Sequence, residues 1–202
     1  MTAVEICNLA LAHLRSGTTI SNIDDQTDDL ARVCRQFYTI SRQEILRCFA
    51  WPFAKRFQPL VLIDRVQDGS REWEYQYVYP TNSLRLIKIS STLRDDTRGS
   101  RVRYQIETDG SRQVIFTQMK DAVVYFIEDL EDTTQFPPDV FMALSYLIAA
   151  RIAPIVTDGD TEGLGSLAME NYEMLIDKSK VNALNEEQHE EIEATEYIDF
   201  RE

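Results

Sequence analysis

Histidine and cysteine are scarce in this chain: two and three in 202 residues, none of them clustered. Zinc sites want close pairs of such ligands, yet His13 and His189 lie at opposite ends, and Cys7, Cys34 and Cys48 form no C-x-x-C pair. An odd cysteine count argues against a disulfide framework and for a reducing compartment. Cys7 and Cys34 fall on apolar helical faces and read as buried packing residues. Neither a G-x-S-x-G elbow nor a G-x-x-x-x-G-K-[ST] loop occurs, so nucleophilic catalysis and nucleotide hydrolysis have no support. Cations are few as well, 21 Lys and Arg against 34 Asp and Glu, for a net charge of −13. Tight binding to a phosphate backbone needs clustered Lys and Arg, which this balance does not offer. No basic residue precedes Arg15 while Glu5 does, the reverse of a secretory leader. No apolar run reaches the roughly 18 residues of a membrane span; the longest, Val140 to Ala150, meets Arg151. The expectation is a soluble cytoplasmic product with no metal, cofactor or membrane partner.

What is present is enough for a core. Hydrophobic residues make up 44% and aromatics 10%, and a chain of this length removes roughly 70% of its extended surface from water on folding. Thr2 and Glu5 have the spacing of a capping box. Val4, Cys7, Leu11 and Leu14 then recur every three to four residues until Gly17, which predicts a helix over 2–16. Thr27 with Asp28 and Asp29 suits the positive end of a second helix, over 27–50, whose buried face reads Leu30, Val33, Cys34, Phe37, Ile40, Ile45 and Cys48. Pro52 ends it, and Trp51 and Phe53 anchor the exit.

From about 55 to 128 the period switches toward two. Tyr75, Tyr77 and Tyr79 alternate on one half-buried strand face; Leu84 to Ile89, Val102 to Ile106, Val114 to Phe116 and Ala122 to Ile127 read as further strands. Asp68-Gly69 and Asp109-Gly110 are turn signals, the second with hairpin spacing. Asp95 to Arg101 fits no period and reads as a loop. Pro137-Pro138 opens a helix over 138–153 that Pro154 terminates or kinks. A last helix spans 162–185, with Leu167, Tyr172, Leu175, Ile176 and Leu184 facing inward. The fold class expected is α+β: an antiparallel helical bundle of about four helices with an antiparallel β-sheet inserted between the N- and C-terminal helix pairs. Residues 1–185 form one domain and 186–202 an acidic C-terminal tail.

Charged motifs have ordinary readings beside their functional ones. Asp158, Asp160 and Glu162 before Gly163 mimic half a calcium loop, but the twelfth position is Met169, which cannot supply the bidentate carboxylate. An acidic loop at a helix start explains them better. Glu128, Asp129, Glu131 and Asp132 contain pairs at glycosidase-like spacing, a weak signal among 34 acids; a real pair would hold one carboxyl buried with a raised pKa. Arg98, Arg101, Arg103 and Arg112 form a weak basic group around the hairpin, read as a subunit or tail contact. The tail from Glu186 to Glu202 carries eight carboxylates and one arginine. Ile192, Tyr197, Ile198 and Phe200 interrupt them, as suits a segment that orders on docking to a partner.

One order of residues stands out: Ile6-Cys7-Asn8-Leu9-Ala10-Leu11, Ala31, Tyr38, Arg42, Trp51-Pro52-Phe53-Ala54, Tyr79-Pro80 with Leu84-Arg85, and Asp129 to Pro138 before an Ala-rich helix. In that order the chain resembles the head-to-tail adaptor family of tailed phages, known in short-tailed phages as tail tubular protein A. The residues are core and turn positions, none catalytic. The resemblance implies a structural virion protein in the phage tail or neck. It further implies a ring of about twelve copies beneath the portal protein, passing DNA through its channel without specific binding and receiving the next tail component, a nozzle or tail tube protein. Ile192, Tyr197, Ile198 and Phe200 would then grip the portal. Alternatives from other classes are a cell-wall or polysaccharide-degrading tail protein and an acidic DNA mimic or host-interaction protein.

Overall fold

A computed structural model describes residues 2–65, 73–91, 102–110 and 112–186. Four helices and two antiparallel sheets follow one another as α1 (Ala3–His13), α2 (Asp29–Cys48), β1 (Lys55–Pro59), β2 (Leu62–Arg65), β3 (Tyr75–Val78), β4 (Ser83–Ser91), β5 (Tyr104–Asp109), β6 (Arg112–Thr117), β7 (Ala122–Glu128), α3 (Pro138–Val156) and α4 (Leu164–Glu186). The three-stranded sheet runs β1-β7-β4 and the four-stranded sheet β2-β3-β6-β5.

The capping box at α1 forms as expected, with the Glu5 amide donating to Thr2 Oγ1 and the Thr2 amide to Glu5 Oε2. At α2 the cap is Asp28 rather than Thr27: its Oδ1 accepts from the Leu30 and Ala31 amides, while Thr27 turns back to Asp25. The helix stops at Cys48. Trp51 is fully buried just beyond it, and its Nε1 donates to the Ile45 carbonyl at 2.7 Å, satisfying an orphan acceptor of the last turn. Pro52 opens a short 3-10 turn that aims the chain into β1. The buried face of α2 is Ala31, Cys34, Ser41, Arg42, Ile45 and Leu46, so Ile40 and Cys48 sit outside instead of in.

The expected bundle is not there. The helices are not paired around one inserted sheet: α1, α2 and α4 each pack on α3, whereas α1 and α2 scarcely meet. Two sheets replace one, and they hold much of the core. The reason is written in β7, where neighbouring residues are apolar on both faces, the mark of a strand covered from two sides. Ile127 joins the helical core with Trp51, Leu144 and Ile148. Ala122, Val124 and Phe126 point the other way, into a second core with Leu60, Tyr75, Tyr77 and Ile115. The three-stranded sheet is thus the middle layer, and β7 its middle strand. The Asp109-Gly110 hairpin forms, Asp109 opposite Arg112 with Gly110 at a φ of 63°. The loop 95–101, the Asp68-Gly69 turn and the tail lie outside the described residues.

Helix α3 runs through Pro154 to Val156, where the Thr157 amide and Oγ1 both reach the Ala153 carbonyl. Its 19 residues, mean hydropathy 1.6, suffice by length and composition to cross a membrane, more than the eleven-residue run counted from sequence. Its apolar side chains are instead taken up by the three helices around it. Helix α4 corrects the sequence in detail. It buries a stripe of small residues, Gly165, Ala168, Ser179 and Ala183, with Ile176. Leu167 and Leu184, expected inside, face out.

Candidate functional site

Several residues that carry the resemblance lie at the joint between α2 and the exit of β7. Arg42, 4% exposed on α2, places Nη1 2.5 Å from the Leu130 carbonyl and 2.9 Å from Asp129 Oδ1. Gln43 donates to the other oxygen of Asp129 at 2.7 Å, and the Asp129 amide donates to the Asn82 carbonyl at 2.7 Å. Asn82 belongs to the turn after Tyr79-Pro80, closed by the Ser83 amide on the Pro80 carbonyl. Phe53 packs on Phe136 and Trp51 on Phe53 beside it. Asn8 clamps the loop after α1 through both its amide atoms, donating to the Ile20 carbonyl and accepting from its amide. Each of these contacts fixes a chain direction. None presents a reactive group.

The carboxylates at the same joint are engaged separately. Glu128 pairs with Arg56 at 2.9 Å, Asp129 with Arg42, and Asp132 accepts from the Thr134 amide and hydroxyl. Glu131 and Asp132 line a cleft of about 430 Å³ with Thr2, Tyr38 and Arg42. A glycosidase acid would need a raised pKa, but the hydrogen bonds from Thr134 hold Asp132 below the usual carboxylate range. A second hollow, about 350 Å³, lies among Leu60, Leu62, Tyr75, Tyr77, Lys120 and Asp121. In the acidic loop, Asp160 accepts from the Gly165 amide at 2.9 Å and so caps α4. Among the described residues no group of three His, Cys, Asp or Glu is arranged to hold a metal.

Of the predicted contact residues, Arg98, Arg101, Ile192, Tyr197, Ile198 and Phe200 lie outside the described residues. Arg103 and Arg112 are exposed but not together. Arg103 precedes β5, where its carbonyl accepts from Thr117 Oγ1, and Arg112 stands beside the turn at the other end of the hairpin. With about 3.3 Å per residue, the six-residue strand puts nearly 20 Å between them.

Two surfaces emerge that the sequence reading missed. The first is the outer side of α4, where Leu167, Met174 and Val181 are 52%, 64% and 56% exposed. They recur every seven residues, a ridge of spaced apolar side chains opposite the buried stripe, with Glu170, Asn171, Asp177 and Lys178 on the turns between. Opposing faces were signalled by the small residues at Gly165, Ala168, Ser179 and Ala183. A Cβ on Gly165 would come within 2.8 Å of Ala153 Cβ, so α3 and α4 approach closely there. The second is on the helix-facing side of the three-stranded sheet, where the row of the buried Ile127 is followed by a row with exposed side chains. Its register aligns Lys55, Ile127 and Arg85 in one row and Phe57, Tyr125 and Lys88 in the next. Phe57 is 70% exposed and stacks on Tyr125 at 5.7 Å, with Lys88 Nζ 4.7 Å from that ring. A bulge between Leu86 and Lys88 lets β4 face both ways.

Compared with known protein families and with individual curated proteins, the chain matches none. Its surfaces therefore carry the functional argument.

Proposed function

We propose that the chain is the subunit of a ring-forming head-to-tail adaptor, a structural virion protein joining a portal to the next tail component. The carrying observation is the α4 ridge. Leu167, Met174 and Val181 stand exposed along one side of α4, two turns apart with Glu170, Asn171, Asp177 and Lys178 between them, a row of apolar anchors in a polar setting such as a contact between copies uses. A cyclic assembly needs two unlike patches on each subunit. The ridge supplies one. Among the described residues β5 is an edge strand of its sheet with an exposed face, and it supplies a second surface. The order of core and turn residues that resembles the adaptor family supports the same reading. A net charge of −13 suits a channel wall that repels the DNA backbone. Ile192, Tyr197, Ile198 and Phe200 in the acidic tail are the anchors for the portal.

The test is binding of the purified chain to the portal ring encoded by the same genome, with and without residues 186–202, followed by imaging. One ring per portal, lost on deletion, supports both the role and the gripping tail. Retained binding keeps the role and removes the tail from it. Absence of binding by either form removes the role.

A further inference from the structure

We propose that the row of Phe57, Tyr125 and Lys88 on the three-stranded sheet is a docking surface for the chain's own acidic segment, residues 187–202. In a protein of net charge −13, this row holds Lys88 and no carboxylate, and half-buried Arg85 flanks it in the row of the buried Ile127. The segment has the opposite character, carboxylates interleaved with Ile192, Tyr197, Ile198 and Phe200. Charge complementarity steers and orients such a contact, while the exposed Phe57 ring supplies the apolar area that surface ion pairs lack.

Chain length and exit point agree. The segment leaves α4 at Glu186, three residues beyond Ala183, which is buried in the helical core that Ile127 shares. Sixteen residues reach about 50 Å when extended, and successive rows on one face are about 7 Å apart. The segment is long enough to reach the row of Phe57 and Lys88. The α4 ridge offers a weaker charge match, since Glu170 and Asp177 flank it on one side against Lys178 on the other.

The test uses the full chain, dilute and without portal, so its failure leaves the adaptor reading untouched. Zero-length carbodiimide coupling followed by peptide mapping is expected to join Lys88 or Lys55 to carboxylates of 187–202 within single-chain mass. In Phe57→Ser/Lys88→Glu, both changes at exposed side chains, a glutamyl endopeptidase is expected to trim the tail about tenfold faster, the loss of about 1.4 kcal/mol of docking. Links confined to Lys178 and Lys180, links found only in cross-linked dimers, or an unchanged trimming rate would each overturn the proposal.

Discussion

Arg42 and Asp129 meet at 2.9 Å where α2 passes the exit of β7, with the guanidinium 4% exposed and the carboxylate open to solvent on one side. The pair ties the helical layer to the middle strand, and Arg42 also donates to the Leu130 carbonyl. Removing Arg42 takes the donor from the Leu130 carbonyl and leaves Asp129 to Gln43 and solvent, a loss of about 1–3 kcal/mol. Arg42→Ala is expected to lose stability in that range by urea denaturation. Arg42→Met with Asp129→Asn should recover part of the loss, because no charge is then left without its partner. Equal losses in the single and double variants would show that packing, not pairing, sets the cost.

Trp51 closes the end of α2 by burial and by its bond to the Ile45 carbonyl. Trp51→Phe keeps most of the volume but leaves that acceptor only the weak Cys48 thiol donor, so a loss of about 1 kcal/mol is expected. Trp51→Ala should cost more, about 3–5 kcal/mol. A Phe variant as stable as the original would mean water replaces the indole.

His13 stacks on Tyr146 at 3.8 Å with Nε2 3.1 Å from Ser145 Oγ, and burial holds its pKa below the ordinary 6.5. Between the folded value and 6.5 the unfolded chain binds more protons, so stability falls as pH drops below about 6.5. Urea midpoints at neutral pH and about one and a half units lower should differ more for the original than for His13→Gln. The same difference in both would assign the pH dependence elsewhere.

Of the three thiols, Cys7 and Cys34 are fully buried and Cys48 is exposed. Cys7 is raised by the hydrogen bond it shares with Cys34, then by burial. Titration with a thiol reagent is expected to modify Cys48 in the native chain and the other two only in denaturant. Reaction of all three at one rate would mean α1 opens readily.

Gly165 is where α4 comes closest to α3. In an open helix Gly→Ala adds about 1 kcal/mol of stability. Here the methyl would meet Ala153 Cβ and Asp160 Oδ2, so Gly165→Ala is expected to lower the melting temperature instead. A rise would show that the helices can separate at little cost.

Local signals were the legible part of this fold: the Thr2/Glu5 box, the Asp109-Gly110 hairpin and the strand at Tyr75 all stand where spacing put them. Which face of α4 is inside was not legible, because the helix is apolar on two sides and small residues, not large ones, take the inner one. The second sheet was hidden for a related reason. Period two identifies strands but not partners, and only the two-sided apolar run Val123 to Ile127 hinted that one strand serves two layers. Arg42 and Asp129, 87 positions apart, bear no sequence mark of their pairing beyond the resemblance that includes both.

That double membership of β7 makes the strand a party wall. A fluctuation that frees Val124 from the outer core also loosens Ile127 in the helical one, so the two halves share a single melting event. Amides along β7 should be the slowest in the chain to exchange with heavy water, and a pull applied to either layer would be felt first there.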